Sequence, residues 1–378
     1  MNSSDVSQFI FLYIRMIIEC LVLKTMKKQE YFVMGVMSGT SLDGIDLAYI
    51  HFKKDKKWSY NIICAQTVAY DTEWETKLRN GVEYATVQLE CLNASYTQLL
   101  SEVIKTFIEK NQLINIDAVC SHGHTILHQP ENKLTLQIGN LEILAQLINQ
   151  KVVCDFRVQD VVLGGQGAPL VPIGDQLLFS EYTYCVNLGG FSNISTAINN
   201  ERIAYDICPV NIVLNHYVQK TGVSYDDKGM MASSGEVCQL LLEKLNNINF
   251  YKLPPPKSLG LEWVKLMIIP LIDSYELSIK DILRTFVEHV AIQIGSMLIK
   301  DKSSVLFTGG GVYNLFLMKR IREYSNAEII ISSPELIEYK EALIFGFLGV
   351  LKLRNEINVL ASVTGAEKNH SSGEIFTI

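Results

Sequence analysis

The chain contains one β-rich unit twice, and this repetition constrains its fold more than any other feature of the sequence. The first copy, over 31–70, has three β-like runs separated by a Gly/Ser/Asp turn and a Lys-rich turn. The second copy, over 184–207, has three such runs around tight Gly/Asn turns. Helical patterns follow both copies. The repetition predicts an α/β protein built from two similar domains that face one another across a cleft.

Hydrophobic patterning predicts further elements after each copy. After the first copy it predicts a helix at about 84–112, a strand at 116–121, a helix near 141–149 and a strand at 152–156. After the second copy a helix starts near 210, and Ser278 is a candidate N-cap for a later helix. A strand, a glycine turn and a helix follow from about 304.

The balance of charges excludes one class of partner. The chain has 40 Asp and Glu residues against 33 Lys and Arg, a formal net charge of −7, so it lacks the basic character that nucleic-acid binding requires. Charged residues make up 19% and hydrophobic residues 48%, which excludes a disordered chain. A small polar ligand is compatible with this composition.

An apolar stretch at 8–23 is interrupted by Arg15 and Glu19, whereas a bilayer-spanning helix needs about 20 predominantly apolar residues. No signal-peptide cleavage site follows it. We therefore expect no membrane anchor. We assign residues 1–26 to an N-terminal extension and expect translation to start at Met26, so that residues 1–25 precede the native chain. The eight cysteines form no CxxC pair, which is typical of reduced thiols in a cytoplasmic protein.

Three glycine-rich turns follow predicted strands, at 37–44 (MSGTSLDG), 187–193 (NLGGFSN) and 307–314 (FTGGGVYN). Glycine lets the backbone approach a phosphate and point its amides at it, while Ser, Thr and Asn side chains add donors. None of the turns matches GxxxxGKS/T or GxGxxG. Each turn alone is also compatible with an ordinary tight hairpin, but three of them in a duplicated chain favour a phosphate site.

Several polar side chains are candidates for chemistry. Asp43 and Asp46 lie in and after the first turn, where a carboxylate holds Mg²⁺ through water or simply favours a turn. Asp206 is a lone acid between apolar runs and a candidate general base, with a helix N-cap as the ordinary alternative. Arg157 is a candidate to grip an anion, with a surface ion pair as the alternative, and we interpret the surrounding segment 155–172 as a shaped loop.

Three histidines, His122, His124 and His128, have an HxHxxxH spacing that is compatible with zinc binding. No further cysteine or carboxylate ligand is evident beside them in the sequence. We therefore interpret this segment as a polar loop that lines a ligand cleft, with a zinc site as the alternative.

Eight segments resemble, in the same order, the anhydro-N-acetylmuramic acid kinase family. They are MSGTSLDGID, SHGHTILHQP, LTLQIGN, DFRVQDVVLGGQGAPLVP, NLGGFSNIS, YDICPVN, GGGVYN and KEALIFGFL, and the resemblance covers about residues 31–366. The family belongs to the superfamily of actin, hexokinase and heat-shock chaperone ATPases. The resemblance thus implies duplicated ribonuclease-H-like domains, with domain I over 31–154 plus about 343–378 and domain II over 155–342.

The resemblance implies a cytoplasmic, ATP- and Mg²⁺-dependent kinase, expected to be a homodimer, that opens 1,6-anhydro-N-acetylmuramic acid with water and phosphorylates the freed 6-oxygen during cell-wall (peptidoglycan) recycling. Asp206 matches the family's catalytic aspartate, the general base for that water. The segments that line the sugar pocket contain Thr125, Arg157, Gly165 and Glu341. The ATP-binding residues implied in the three turns are Gly39, Thr40, Ser41, Leu42, Asp43, Gly44, Ile45, Asp46, Gly189, Gly190, Asn193, Gly309, Gly310, Gly311 and Asn314.

The chain departs from the family pattern near these motifs. Cys208 and Val210 replace two glycines after the catalytic aspartate, Leu261 replaces an arginine, and Asp175 stands where histidine is common. These changes bear on substrate and turnover more than on the fold. The alternatives are a nucleotide-binding homologue with altered sugar specificity or without turnover, and an actin- or chaperone-like ATPase that acts on protein partners.

Overall fold

The computed structural model describes residues 28–39, 41–299 and 303–378, so the predicted extension over 1–26 and Thr40 lie outside the described residues. Two β-sheets with packed helices form the described chain. The strands in chain order are β1 (Glu30–Ser38), β2 (Ile45–Lys54), β3 (Trp58–Val68), β4 (Ala118–Gln129), β5 (Leu134–Ile138), β6 (Val152–Cys154), β7 (Tyr184–Leu188), β8 (Phe191–Ile198), β9 (Glu201–Pro209), β10 (Ser304–Thr308), β11 (Glu328–Ile331) and β12 (Glu374–Phe376).

The helices surround these sheets. In chain order they are α1 (Thr72–Asn80), α2 (Thr86–Lys110), α3 (Ile143–Ile148), α4 (Val158–Val162), α5 (Pro172–Leu178), α6 (Asn211–Val218), α7 (Met230–Ser233), α8 (Gln239–Asn246), α9 (Leu261–Trp263), α10 (Ile269–Asp273), α11 (Ile279–Met297), α12 (Leu315–Glu323), α13 (Pro334–Leu353) and α14 (Ala361–Thr364). A π-helical turn, Val264–Ile268, joins α9 to α10. None of the described helices is long and apolar enough to cross a membrane.

Five strands of the first sheet repeat the order of the five strands of the second sheet. In the first sheet the order is β12-β6-β4-β1-β2-β3, with β5 paired to β4. In the second sheet it is β11-β10-β7-β8-β9. Each sheet has an antiparallel group of three strands, and parallel strands continue from the other side of its first strand. This repeated topology confirms the predicted duplicated ribonuclease-H-like α/β fold.

Helix α13 follows the last strand of the second sheet but packs on the first sheet. Gly35 on β1 permits the contact, because a Cβ there would collide with the backbone carbonyl of Ala342. The helix is kinked at Tyr339, where φ is −114° and ψ is 16°. Strand β12 likewise pairs with β6 of the first sheet. The C-terminal part of the chain therefore returns to the first sheet, while the domain boundaries themselves stay a prediction.

Local predictions met mixed outcomes. The Ser278 hydroxyl accepts a hydrogen bond from the N–H of Asp281 at 3.2 Å, which confirms the predicted N-cap of α11. The strand predicted at 116–121 is longer, because pairing with β5 continues β4 to Gln129. The interpretation of 155–172 as one loop was wrong, since it contains α4 and its last proline opens α5. The described cysteines are free thiols.

Candidate active site

Asp206 lies on β9, and its carboxylate is held by a neighbouring loop. The N–H of Leu259 donates to Asp206 Oδ2 at 2.8 Å, and the N–H of Asp206 donates to the carbonyl of Lys257 at 3.0 Å. The N-cap alternative was wrong, because α6 begins after Val210. Burial raises the pKa of Asp206, and the Leu259 hydrogen bond opposes this rise. The result is a half-buried carboxylate fixed in orientation by the backbone.

The first glycine-rich turn joins β1 to β2 and is followed by acidic residues. Gly44 has a φ of 150°, and a Cβ there would collide with a backbone carbonyl of β3. Asp43 is exposed, whereas Asp46 is half-buried and accepts a hydrogen bond from the Thr67 hydroxyl at 2.6 Å. Burial and the charges of Glu338 and Asp43 raise the pKa of Asp46, opposed by Thr67. The turn therefore borders a concentration of negative charge.

The second and third turns pack against each other at the end of β7. The N–H of Val210 donates to the carbonyl of Gly190 at 2.8 Å. Gly309 has a φ of 82°, and a Cβ there would lie 2.8 Å from the carbonyl oxygen of Leu188. Asn193 is exposed on β8 beside this pair. The structure thus brings two of the three predicted turns into one surface.

A cavity of about 570 Å³ opens beside the third turn. Its floor belongs to the second sheet's helices and turns, and Glu338 of α13 reaches its rim, where it accepts a hydrogen bond from the Tyr313 hydroxyl at 2.9 Å. Asn314 lines the cavity, but its side-chain oxygen caps α12 through the N–H of Leu317 at 2.9 Å. The other lining residues are Asn211, Leu214, Asn215, Tyr225, Asp226, Asp227, Lys228, Gly310, Gly311 and Leu315.

We call each sheet, together with the elements packed on it, one half of the molecule. Arg157 contacts β4 of the first half, and two hydrogen bonds hold its side chain. Its Nε donates to His122 Nε2 at 2.8 Å, and its Nη1 donates to the carbonyl of Gly167 at 2.6 Å. His122 Nδ1 lies 2.8 Å from the carbonyl of Gly123, so this ring is neutral with its proton on Nδ1. Burial lowers the pKa of Arg157 to about 10, opposed by Glu341. The alternative of a surface ion pair was therefore wrong.

Glu341 lies near Arg157 on α13. The residue is exposed, yet the protein around its carboxylate raises its pKa by desolvation, against the opposing charge of Arg157. Thr125 on β4 accepts a hydrogen bond from Gln137 at 3.3 Å. Gly165 packs against the Asp160 carboxylate, with which a Cβ would collide. Arg157 and Glu341 interact electrostatically, and we refer to Thr125, Arg157, Gly165 and Glu341 together as the polar wall.

Asp206 and this wall stand on opposite halves. Among residues 28–39, 41–299 and 303–378, no hydrogen bond or ion pair joins Asp206 to Arg157 or Glu341. Asp46, by contrast, interacts electrostatically with both Glu338 and Glu341. The structure therefore groups the acidic end of the first turn with the wall, and the second and third turns with the cavity.

Comparison with known proteins shows the family of the chain. A family profile described as anhydro-N-acetylmuramic acid kinase matches residues 31–378. The chain belongs to the anhydro-N-acetylmuramic acid kinase family. A relative of that name from Haemophilus influenzae is 32% identical over 93% of this chain and 98% of its own length. Those from Sulfurimonas denitrificans and Mannheimia succiniciproducens are 31% and 34% identical over 91% and 93% of this chain and 99% and 100% of their own lengths.

In this member of the kinase family the histidine segment is a buried strand, so its interpretation as a loop was wrong. The Ser38 hydroxyl lies 2.8 Å from His124 Nδ1 and 2.6 Å from the Tyr70 hydroxyl. Burial lowers the pKa of His124 to about 4. No three His, Cys, Asp or Glu side chains of the described chain are placed to hold a metal ion together. Instead, His122 accepts a hydrogen bond from Arg157 of the polar wall, and His124 contacts Ser38 in the first turn.

The departures from the kinase family pattern take up buried or flanking positions. Cys208 and Val210 are fully buried in the core of the second half, so neither side chain faces the cavity. Leu261 opens α9 and is 41% exposed. Asp175 is buried beside Lys340. The bulkier residues in place of glycine are therefore accommodated inside the fold.

Sequence reasoning missed the part of the cavity formed by 225–228. Asp226 accepts hydrogen bonds from the N–H groups of Met231 and Ala232 at 2.8 and 2.9 Å, which fixes the segment at the start of α7. The run DDKG is a recognisable turn signal in the sequence. Only tertiary packing brings that turn beside Gly310, so its place at the cavity could not be read from spacing.

Proposed function

We propose that this chain is an ATP-dependent kinase that opens 1,6-anhydro-N-acetylmuramic acid with water and yields N-acetylmuramic acid 6-phosphate, a reaction of peptidoglycan recycling. The observation that carries the proposal is the match of residues 31–378 to the anhydro-N-acetylmuramic acid kinase family. Relatives of that name cover nearly the whole chain. We further propose that the protein acts in the cytoplasm as a homodimer.

Asp206 is the proposed general base. A base that takes a proton from water must be ionised and oriented, and the Leu259 N–H holds one carboxylate oxygen while lowering the pKa that burial raises. Removal of the proton lets the water attack the anomeric carbon. The anhydro bond then breaks, and the sugar's 6-oxygen keeps the electron pair and attacks the γ-phosphorus, while the bond from that phosphorus to the bridging oxygen breaks and ADP leaves. Geometry and charge at Asp206 support this role.

The polar wall is the proposed sugar site. Arg157 has two of its nitrogens held by protein groups, so its remaining N–H donors have a fixed direction toward a carboxylate such as the sugar's lactyl group. Glu341 and Thr125 offer an acceptor and a hydroxyl to the sugar's polar groups. Gly165 contributes through its backbone, because the Asp160 carboxylate fills the side on which a Cβ would stand.

The cavity beside the third turn is the proposed site for the adenosine part of ATP. Its volume of about 570 Å³ lies in the range of small-molecule pockets. Backbone amides of the turns at 39–44, 189–190 and 309–311 are the proposed phosphate ligands, since these turns carry no lysine. ATP would then span from the second half toward the acidic end of the first turn.

Mg²⁺ fits the acidic residues that follow the first turn. Burial and the charges of Glu338 and Asp43 raise the pKa of Asp46, and a divalent cation held through water would relieve this repulsion without three direct ligands, which the described residues do not bring together. Asp43 and Asp46 are the proposed holders, directly or through water. The ion would supply charge neutralisation for the phosphate oxygens.

Replacement of Asp206 by asparagine tests the proposal. Asp206→Asn keeps the acceptor for Leu259 but removes basicity, so we expect 6-phosphate formation from Mg-ATP and the anhydro sugar to fall about 10²- to 10⁴-fold with binding of both substrates retained. Asp71→Asn is the matched control, because Asp71 caps α1 through the N–H of Trp74 at 2.8 Å and asparagine caps equally well. Near-normal turnover in Asp206→Asn would remove the base assignment, and an inactive wild-type protein would remove the proposed function.

A further inference from the structure

Three charged side chains are buried together where the two halves meet. Asp175, Arg202 and Lys340 are 3%, 6% and 7% exposed. Lys340 Nζ lies 2.9 Å from Asp175 Oδ1, and Arg202 Nη2 lies 3.9 Å from Asp175 Oδ2. We call these three residues the interdomain triad, because Lys340 lies on α13, which packs on the first sheet, and Arg202 lies on β9 of the second sheet. It contains one carboxylate and two cations.

Two members of the triad stand on elements that carry proposed site residues, and the third follows the segment that contains Gly165. Asp175 lies on α5, directly after the segment that contains Gly165. Arg202 lies on β9, four residues before Asp206. Lys340 lies on α13 and is followed at once by Glu341. The triad therefore joins, behind the site, the three elements whose relative positions determine where base and sugar meet.

Further contacts tie the triad to its surroundings. Arg202 Nε donates to the Ser195 hydroxyl at 2.7 Å, and the carbonyl of Arg202 accepts a hydrogen bond from the Ser362 hydroxyl at 2.7 Å. Ser362 belongs to α14, whose Thr364 carbonyl accepts the N–H of Gln166 at 2.8 Å. The strand that carries Asp206 is thus linked through α14 to the glycine-rich segment, and through Asp175 to the helix that follows this segment.

The place of Lys340 on its helix gives its ion pair a particular effect. Helix α13 is kinked at Tyr339, between Glu338 at the cavity rim and Glu341 at the polar wall. A kink is where a helix changes direction most readily, and the pair with Asp175 fixes the residue that follows it. The direction in which Glu341 leaves the helix therefore depends on Lys340.

Stability alone does not account for this cluster. Burying charges costs solvation free energy, and replacing a buried ion pair by apolar groups is often neutral or stabilising. We propose that the interdomain triad is a set of positioning residues that holds Glu341, Asp206 and the Gly165 segment in register for the anhydro sugar. This inference rests on the proposed function and deepens it. The triad acts through its neighbours and does not itself touch the substrate.

Lys340→Met and Arg202→Gln test the inference without leaving an unpaired carboxylate. In each variant the other cation still balances the charge of Asp175, so we expect the protein to fold. We expect kcat/KM for the anhydro sugar to fall about 10- to 100-fold, because small misplacements of reacting groups have effects of this size. The KM for ATP should stay within about twofold. Lys340→Arg keeps the positive charge and should therefore retain most of the wild-type kcat/KM.

Arg320→Met is the matched control. Arg320 pairs with the buried Glu288 through Nε at 2.8 Å, and Arg284 remains as a second partner at 2.8 Å, as Arg202 remains for Asp175. This cluster lies in the second half away from the wall, so its loss should lower stability without changing kcat/KM. Wild-type kcat/KM in folded Lys340→Met or Arg202→Gln, or an equal fall in Arg320→Met, would overturn the inference while the proposed function stands. An inactive wild-type protein would overturn both.

Discussion

The two halves of the molecule share a strand order but not a chemistry. In the first half, the turn between the first two strands leads into Asp43 and Asp46, and charged groups line the neighbouring wall. In the second half, the equivalent turn is a glycine pair that packs against the third turn beside an open cavity. The duplication thus preserves a framework of strands, while the side chains at the equivalent turns differ.

The buried strands next to the turns, β4 in the first half and β10 in the second, also differ in their side chains. On β4, His122 and His124 are buried with polar partners such as Ser38. On the equivalent strand of the second half, β10, the buried run is apolar, with Val305 and Phe307 fully covered. Strand β4 therefore places titratable side chains beneath the first turn, whereas β10 places apolar side chains beneath the second and third turns. The buried Glu288 and His289 of the second half lie on α11. Mutations at the turns, and the titration of His124, should separate the two surfaces.

The largest expected effect is on stability in the first half. Gly44→Val forces a branched side chain onto a φ of 150° and into a carbonyl of β3, so we expect the free energy of unfolding to fall by about 3 kcal/mol. Denaturant unfolding measures it. Gly39→Val is the control, because a Cβ there meets its nearest atom, the Ser41 hydroxyl oxygen, at 3.4 Å. Equal stability of the two variants would contradict the strained geometry of the turn.

The next effect concerns pH. Burial lowers the pKa of His124 to about 4, below the ordinary value of 6.5, so unfolding takes up a proton between these values. Stability is therefore fully present above pH 6.5 and is lost as pH falls toward 4. In His124→Gln no group titrates at this position. Between pH 6.5 and 4 its free energy of unfolding should therefore fall by roughly 2 kcal/mol less than that of the wild type. Parallel pH profiles for wild type and His124→Gln would show that His124 is not held neutral.

A third effect should appear in the second half as binding and not as stability. Gly310 lines the cavity, and a Cβ there would meet no atom within 4 Å. Gly310→Val should fold normally and raise the KM for ATP about tenfold, which corresponds to about 1.4 kcal/mol. Steady-state kinetics with a thermal melt provide both readouts. An unchanged KM for ATP would place the nucleotide elsewhere.

The smallest effect is a gain in stability. Because the folded pKa of Asp206 is raised, its ionised form is disfavoured in the fold, and stability is lost as pH rises through that pKa. Asp206→Asn should therefore be more stable than wild type at pH 7, by up to about 1 kcal/mol, with the difference vanishing in acid. A less stable Asp206→Asn protein at pH 7 would mean that the carboxylate is a structural anchor.

Sequence reasoning succeeded where local patterns determine the structure. The duplicated strand units, the N-cap at Ser278 and the three turns follow from periodicity and from residue types with strong backbone preferences. It failed where distant segments meet. The partner of Asp206 is Leu259, 53 positions away, and the interdomain triad joins residues from three separate elements. His124 was interpreted as a loop residue because polar side chains on a buried strand give no period-two signal.

The mass of the sugar product tests the central claim most directly. If the wall, Asp206 and the cavity act together, incubation of the wild-type protein with Mg-ATP and 1,6-anhydro-N-acetylmuramic acid should yield ADP and a sugar that has gained one water and one phosphoryl group. Mass spectrometry of the reaction mixture distinguishes this product from its alternatives. A sugar that gains only the phosphoryl group, or ADP formed with the sugar unchanged, would contradict the coupling of ring opening to phosphoryl transfer.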